Sequence, residues 1–172
     1  EIIFTSGACE ANNLAIQGYL KAHSNARWWT TRMEHASIHK MAKSITPHAM
    51  FVENDEQGFV KFQPSFMRDH QSLVSIGAAN GEIGTIQDLK SISDFVHEHD
   101  CIFHTDATQL FPERRIDVKE LGIDMNTATP EQVAKRAAAF CLEMVDCYPD
   151  DPLARDAFSA LHVAINMMRG GK

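Results

Sequence analysis

The sequence predicts an α/β protein: a mainly parallel sheet flanked by helices on both faces, followed by a C-terminal α-helical hairpin. Short apolar runs typical of buried strands alternate with amphipathic helical stretches as far as about residue 125. Polar residues follow several of these runs, at the strand ends where parallel sheets bind ligands. From residue 129 onward, two helical stripes replace the strands. We therefore divide the chain into an α/β part, 1–125, and a helical hairpin, 126–172.

The bulk composition limits the possible classes of function. The chain has 172 residues, 44% of them hydrophobic, which is enough to bury the core of one domain with a small appendage. A formal net charge of -7 without a clustered basic stripe argues against binding to nucleic acid or acidic membranes. No apolar run approaches the roughly 18 residues of a membrane span. The four cysteines form no C-x-x-C pair, and we expect a cytoplasmic protein with reduced thiols.

The N-terminal segment predicts a strand, a tight turn and a helix. Residues 2–5 form an apolar strand-like run at the very start, which suggests that the chain is cut from a larger fold. Small residues at 6–8 then lead into a helix at 9–22, whose free N–H groups and positive dipole end would suit a phosphate. Many turns of this kind bind nothing, so the pattern alone does not decide between a phosphate-binding site and a turn without a ligand. The packing face of the helix would consist of Ala11, Leu14, Ala15 and Gly18.

A second strand, at 28–32, leads to Glu34, His35 and a short helix that continues to about residue 45. His35 and His39 are four residues apart, so they could share a helical face and bind a metal. No third ligand accompanies them, and the His-Glu-x-x-His order is absent. We therefore expect no metal site.

The middle of the chain predicts more strands and one well-capped helix. Strands are expected at 50–52, 58–62 and 73–77, and helices at 64–71 and 88–99. Asp88 is a natural N-cap for the last of these, and Asn80 with Gly81 forms a pair typical of turns. The apolar face of the capped helix would consist of Leu89, Ile92 and Val96, with His99.

The segment 104–109, with the sequence HTDATQ, is the first candidate for a functional site. It follows an apolar run at 101–103, so Asp106 would stand at the carboxyl end of a buried strand. The Asp106 carboxylate and the Gln109 amide could hold a protonated ring nitrogen and a ring hydroxyl. Asp106 could equally cap the segment 107–111, and the hexapeptide does not decide between the two.

The C-terminal segment predicts two helices joined by a proline-containing break. Thr129 would be the N-cap of the first helix, with Pro130 at its first position, and residues 149–152 would end it. The apolar stripes of the two helices could pack on each other, on the sheet or on another chain. The members of the stripes are Val133, Ala137, Phe140, Cys141 and Met144, then Leu153, Ala157, Leu161, Ala164, Ile165 and Met168.

Four ordered blocks accompany the segment 104–109. They are FTSGACEANN at 4–13, Glu34 with His35, NGEIG at 80–84, and DVKELGID at 117–124. In that order the blocks resemble the cysteine desulfurases and selenocysteine lyases, which belong to the class V aminotransferase group of pyridoxal-phosphate enzymes with fold type I. The resemblance covers residues 1–125 and implies a partial large domain of that fold. It extends to nothing in 126–172.

The resemblance implies a role for each end of the cofactor. Asp106 would pair with the protonated pyridine nitrogen and Gln109 would reach the ring oxygen, while His35 would stack on the ring and shuttle protons. The phosphate would lie at Ala8 and Cys9. The family has threonine at the position of Cys9, and a thiol is the poorer hydrogen-bond donor.

A further contact departs from the family pattern. The asparagine that hydrogen-bonds the ring hydroxyl in the family aligns with Gly81, which has no side chain. Asn80 could substitute by a local shift, although a turn is the favoured interpretation of the Asn-Gly pair.

The resemblance implies removal of sulfur or selenium from cysteine or selenocysteine, the chemistry that supports iron–sulfur cluster assembly. The segment after DVKELGID does not continue into a Ser-x-His-Lys motif, whose lysine holds the cofactor covalently in the family, and the mobile loop with the sulfur-accepting cysteine is absent. We therefore expect negligible turnover from this chain alone. The alternatives are a non-catalytic scaffold, which uses the helical tail to form a homodimer or bind another chain, and a poorly folded fragment.

Overall fold

The computed structural model describes residues 2–45, 49–62, 72–111 and 114–129. Its helices are α1 (Ala8–Ala22), α2 (Ala36–Ser44) and α3 (Leu89–Glu98). Its strands are β1 (Trp28–Thr31), β2 (Ala49–Asn54), β3 (Val60–Lys61), β4 (Leu73–Ser75), β5 (Ile102–Asp106) and β6 (Met125–Thr127). The predicted helix at 64–71 and nearly all of the predicted hairpin lie outside the described residues.

The strands form one sheet in the order β3-β2-β1-β4-β5-β6. All neighbours are parallel except β3, which pairs antiparallel with β2. The predicted mainly parallel α/β sheet is therefore confirmed. The strand β6 crosses residue 125, so the sheet continues past the point at which we divide the sequence. Because β1, β4, β5 and β6 are parallel, their carboxyl ends meet at one edge of the sheet.

Helices cover both faces of the sheet, and each face has its own apolar cluster. On one face Trp28 and Leu73 of the strands pack with Ile16 of α1 and Ile38 of α2. The other face carries a larger cluster with α3; its members include Trp29, Val52, Val74, Phe103, Leu89, Ile92 and Val96. The alternation follows from the two-residue period of a strand, which sends Trp28 and Trp29 to opposite faces.

The structure corrects the prediction of a strand at 2–5. No strand forms there, and the side chains of Ile2, Ile3 and Phe4 are 77%, 65% and 80% exposed. An apolar run becomes a strand only when a neighbouring strand accepts its backbone hydrogen bonds, and no described strand lies beside this segment.

The structure also corrects the packing face of α1. The buried residues of this helix are Asn12 and Ile16, whereas Leu14 is half exposed and Gly18 is exposed. The predicted face consists of small and apolar residues. The true face includes a polar residue, Asn12, because the Asn12 side chain has a buried hydrogen-bond partner on β5.

The predicted caps and turns of the central segment are confirmed. Asp88 is the N-cap of α3 and accepts a hydrogen bond from the Ser91 N–H at 3.1 Å. Asn80 accepts hydrogen bonds from the N–H groups of Glu82 and Ile83, at 2.9 and 3.2 Å, so the Asn-Gly pair does open a turn. Both results follow from local side-chain chemistry, in which a short polar side chain satisfies backbone donors a few residues ahead.

Candidate active site at the carboxyl edge of the sheet

A cavity of about 1220 Å³ lies at the carboxyl edge of the sheet, beside the N-terminus of α1. All six residues predicted to contact the cofactor line this cavity. They are Ala8, Cys9, His35, Asn80, Asp106 and Gln109. The topology explains why: the residues follow β1, β4 and β5 or begin α1, and these elements converge at one edge. Whether each of the six binds a ligand stays a prediction.

Asp106 is the last residue of β5 and is only 9% exposed. Its Oδ1 accepts a hydrogen bond from the Thr108 N–H at 3.0 Å and a second from the Thr108 hydroxyl. Its Oδ2 accepts a hydrogen bond from Nδ2 of Asn12 at 2.7 Å. Asp106 thus caps the turn that begins at Thr108 and also faces the cavity, so the two interpretations of the hexapeptide are compatible. An acceptor surrounded by three donors is an ionised carboxylate.

The first turn of α1 forms the wall on another side of the cavity. Gly7 is the N-cap and makes no side-chain capping hydrogen bond. The first N–H groups of any helix lack partners within the helix, so this end can accept an anion. Glu10 is exposed in the same turn, and its Oε2 accepts the Ser6 N–H at 2.6 Å. Hydrogen bonds from Ser6 lower the pKa of the Glu10 carboxyl.

His35 is the N-cap of α2, and its ring closes the cavity on the β1 side. Nδ1 accepts a hydrogen bond from the Ser37 N–H at 3.2 Å and lies 2.8 Å from the Ser37 hydroxyl. A nitrogen that accepts carries no proton, which assigns the proton of the neutral ring to Nε2. The exposed His35 ring can therefore donate a hydrogen bond from Nε2 while Nδ1 holds the helix end.

Glu34 is a residue of the cavity wall to which the sequence assigned no role. Its Oε1 accepts a hydrogen bond from the Thr31 hydroxyl at 2.8 Å, and its Oε2 accepts one from the Gly77 N–H at 2.9 Å. Burial raises the pKa of the Glu34 carboxyl to about 7, against the lowering effect of these two hydrogen bonds. The only sequence signal for Glu34 was its place beside His35, because burial of a carboxyl is set by the fold.

Asn80 and Gln109 also line the cavity. Nδ2 of Asn80 donates to the Met33 carbonyl at 3.0 Å, so both ends of the amide serve the fold. A Cβ added to Gly81 would lie 2.8 Å from Oε1 of Gln109. The Gln109 side chain therefore occupies the space that a side chain at position 81 would need.

His104 lies two residues before Asp106 on the same face of β5, wholly buried. Its Nδ1 lies 2.8 Å from the Ser75 hydroxyl and its Nε2 lies 3.0 Å from the Thr127 hydroxyl. Burial lowers the pKa of His104 to about 4, so the ring is neutral at pH 7. The contacts of Ser75, His104 and Thr127 thus join β4, β5 and β6.

Ser93, His97 and Asp124 are in contact but are not arranged for nucleophilic catalysis. The buried Ser93 hydroxyl donates to the Gly122 carbonyl at 2.6 Å and is therefore not placed as a nucleophile.

Within the described ranges, no three His, Cys, Asp or Glu residues are placed to hold a metal ion. A second cavity, of about 430 Å³, adjoins the first at Cys9 and His35 and is lined by Lys40. No lysine lines the larger cavity in the described part of the chain.

The mainly parallel sheet with helices on both faces matches part of the large domain of pyridoxal-phosphate enzymes of fold type I. The family model of the class-V aminotransferases matches residues 1–130. The chain belongs to the aminotransferase class-V family. The predicted resemblance is therefore confirmed, and the match extends five residues past 125.

Known proteins similar to the chain include cysteine desulfurases. Cysteine desulfurase IscS of Ehrlichia chaffeensis is 37% identical over 132 residues, which cover 73% of this chain and 32% of the relative. The mitochondrial cysteine desulfurase of Saccharomyces cerevisiae is 34% identical over 140 residues, which cover 77% and 28%. The structure described as SspA in complex with cysteine matches with a TM-score of 0.65 and 31% identity, over 74% of this chain and 39% of that one.

The chain spans about a third of the length of the curated relatives it matches. Those relatives include a mitochondrial one, so the cytoplasmic location stays a prediction. Of the helices that the structure describes, none is long and apolar enough to cross a membrane.

Proposed function

We propose that this chain carries the cofactor-binding face of a cysteine desulfurase-like enzyme and binds pyridoxal phosphate in the cavity at the carboxyl edge of the sheet. The observation that supports the proposal is the pairing of an ionised, nearly enclosed Asp106 carboxylate with a helix N-terminus on the same cavity. A pyridinium ring with a phosphate arm presents one cation and one anion, and the two walls of the cavity offer the complementary charges.

The residues present fit the cofactor at four points. Asp106 would hold the protonated ring nitrogen, Gln109 the ring oxygen, and the backbone N–H groups of Ala8 and Cys9 the phosphate. The ring of His35 would stack on the cofactor and donate a hydrogen bond from Nε2. When bound, the cofactor supplies an electron sink for the bond that breaks at the substrate α-carbon. Family members named as cysteine desulfurases suggest cysteine as the substrate.

The covalent anchor is the part that the described residues do not supply. No lysine lines the cavity among the described residues, and no Ser-x-His-Lys motif follows residue 125 in the sequence. A missing acid–base group alone typically costs about 10² to 10⁴ in rate. We therefore infer reversible cofactor binding without turnover by this chain alone.

Equilibrium dialysis of the purified chain against pyridoxal phosphate tests the proposal. We expect one saturable site that Asp106→Ala weakens at least about tenfold, because hydrogen bonds and ion pairs to a charged group are worth about 1.5–3 kcal/mol. The matched control is Asp94→Ala, which removes an exposed carboxylate paired with Lys90 on α3. Binding that is unsaturable, or that survives Asp106→Ala unchanged, would contradict the proposal. Alanine release from cysteine above a protein-free blank would contradict the absence of turnover.

A further inference from the structure

Asn12 contributes a hydrogen bond to the candidate site from a position far away in the sequence. Its Nδ2 donates to Oδ2 of Asp106 at 2.7 Å, across 94 residues of sequence, and the Asn12 side chain is wholly buried. The oxygen of the Asn12 amide, Oδ1, is buried without a hydrogen-bond partner among the described residues. Burying an amide with an unmet acceptor costs stability, so packing alone does not account for an asparagine here.

The two oxygens of Asp106 are held by different elements. Thr108, two residues ahead, supplies both donors to Oδ1, so that contact is local and forms with the turn itself. Oδ2 is held only through Asn12 among the hydrogen bonds that the structure shows to it. Without the Asn12 amide, one oxygen of a nearly enclosed carboxylate would lose its donor, and rotation about the Cβ–Cγ bond would be less restricted.

The position of Asn12 along α1 links the two ends of the cavity. Asn12 is one helical turn after Ala8 and Cys9, which line the cavity at the N-terminus of the same helix. The rise of a helix places these positions about 6 Å apart along its axis. A single rigid helix thus fixes the distance between the anion-binding end of the cavity and the carboxylate.

We propose that Asn12 is a positioning residue that holds the ionised Asp106 carboxylate in the orientation that pairs with a protonated heteroaromatic nitrogen. This inference rests on the proposed function, because it names the ring nitrogen as the group that Asp106 meets. Asn12 touches no ligand itself, since it does not line the cavity. It acts through Asp106. The affinity for the ring therefore depends on the position of α1 relative to β5.

The test compares two probes that differ only at the ring nitrogen: pyridoxal phosphate and its 1-deaza analogue, in which a C–H group replaces that nitrogen. Binding of both is measured by equilibrium dialysis for the wild-type chain, Asn12→Leu and Asn13→Leu. Leucine matches asparagine in size without its donor. Asn13, the next residue of α1, does not line this cavity, and its amide donates to the Cys9 carbonyl at 2.7 Å.

We expect Asn12→Leu to weaken pyridoxal phosphate binding by about tenfold or more while changing the affinity for the deaza analogue less than about twofold. Asn13→Leu should leave the ratio of the two affinities unchanged. In an Asp106→Asn background, Asn12→Leu should have no further effect on that ratio, because the carboxylate through which Asn12 acts is gone.

The other outcomes separate the possible failures. Equal losses for both probes in Asn12→Leu would mean that Asn12 only supports the fold, and the positioning role would be wrong. An unchanged ratio would overturn it as well. If the wild-type chain binds neither probe, the proposed function fails and the role of Asn12 fails with it. If Asn12→Leu does not fold, Asn12→Ser, which keeps a small polar side chain too short to reach Asp106, replaces it with the same expectation.

Discussion

The carboxyl group of Glu34 accepts the backbone N–H of Gly77 at 2.9 Å and thereby ties the end of β1 to the end of β4. The contact is tight enough that a Cβ at Gly77 would lie 2.9 Å from Oε2 of Glu34. The same carboxyl faces the cavity and has a pKa raised to about 7 by burial. A proton on Glu34 is therefore exchanged near physiological pH within the candidate site.

Glu34 should make the folded state less stable as the pH rises. Its folded pKa, about 7, lies above the ordinary value of 4.5, so its contribution is fully present below pH 4.5 and is lost as the pH rises through 7. The loss is on the order of 3 kcal/mol at most. In His104→Gln, where the opposing titration of His104 is removed, urea unfolding from pH 4.5 to 8 should show this slope, and the slope should be absent from Glu34→Gln/His104→Gln. The exposed residue Glu98 supplies the control, Glu98→Gln/His104→Gln, and a slope of this sign that persists in Glu34→Gln/His104→Gln would refute the assignment.

His104 should produce the opposite slope over an overlapping range. Its folded pKa of about 4 lies below the ordinary value of 6.5, so the unfolded chain takes up the proton first and stability is lost as the pH falls from 6.5 toward 4. The magnitude is again about 3 kcal/mol or less. The loss should be visible in Glu34→Gln, where the opposing slope is absent, and adding His104→Gln should remove it, whatever the effect on stability at pH 7. Adding His23→Gln instead, at an exposed ring, is the control and should keep the loss.

The double variant Glu34→Gln/His104→Gln tests how the two slopes combine. Between pH 4.5 and 6.5 the two contributions oppose each other, so the wild type should be nearly insensitive to pH in that range, whereas each single variant should show one slope. The double variant should again be flat. A wild-type chain that is steeply pH-dependent there, with both single variants flat, would contradict the assignment of either titration.

Gly81 should matter through Gln109. A Cβ at position 81 would lie 2.8 Å from Oε1 of Gln109, and the flexible amide would have to move away. We expect Gly81→Ala to weaken pyridoxal phosphate binding by about two- to tenfold in the wild-type background and to have little effect in Gln109→Ala, because contacting residues are coupled. Dialysis of the four variants measures the coupling. Equal effects of Gly81→Ala in both backgrounds would show that the two positions act independently.

Cys9 should limit the affinity for the phosphate. Replacing the thiol by a hydroxyl in Cys9→Thr adds a better donor beside the helix end, so binding of pyridoxal phosphate should strengthen about three- to tenfold. Binding of pyridoxal, which has no phosphate, should not change. Cys9→Val, with the shape of threonine and no hydroxyl, separates the donor from the shape. If Cys9→Val strengthens binding as much as Cys9→Thr, the hydroxyl is not the cause.

Several elements were predictable because their causes are local. The Asp88 cap and the turn at Asn80 depend on side chains that satisfy backbone groups two or three residues away. The strand before Asp106 and the face of α3 follow from the period of the apolar residues. The segment 2–5 has the same apolar character and formed no strand, because a strand also needs a partner that the local sequence does not contain.

The sequence by itself determined the alternation of strands and helices, the family, and six of the residues that line the cavity at the sheet edge. Only the tertiary structure decided that Asn12 faces Asp106, that Glu34 binds the Gly77 N–H, and that His104 is neutral. The physical reason is distance along the chain. Hydrogen bonds between residues 43 and 94 positions apart, and the desolvation that shifts a pKa, exist only after the strands and helices have packed.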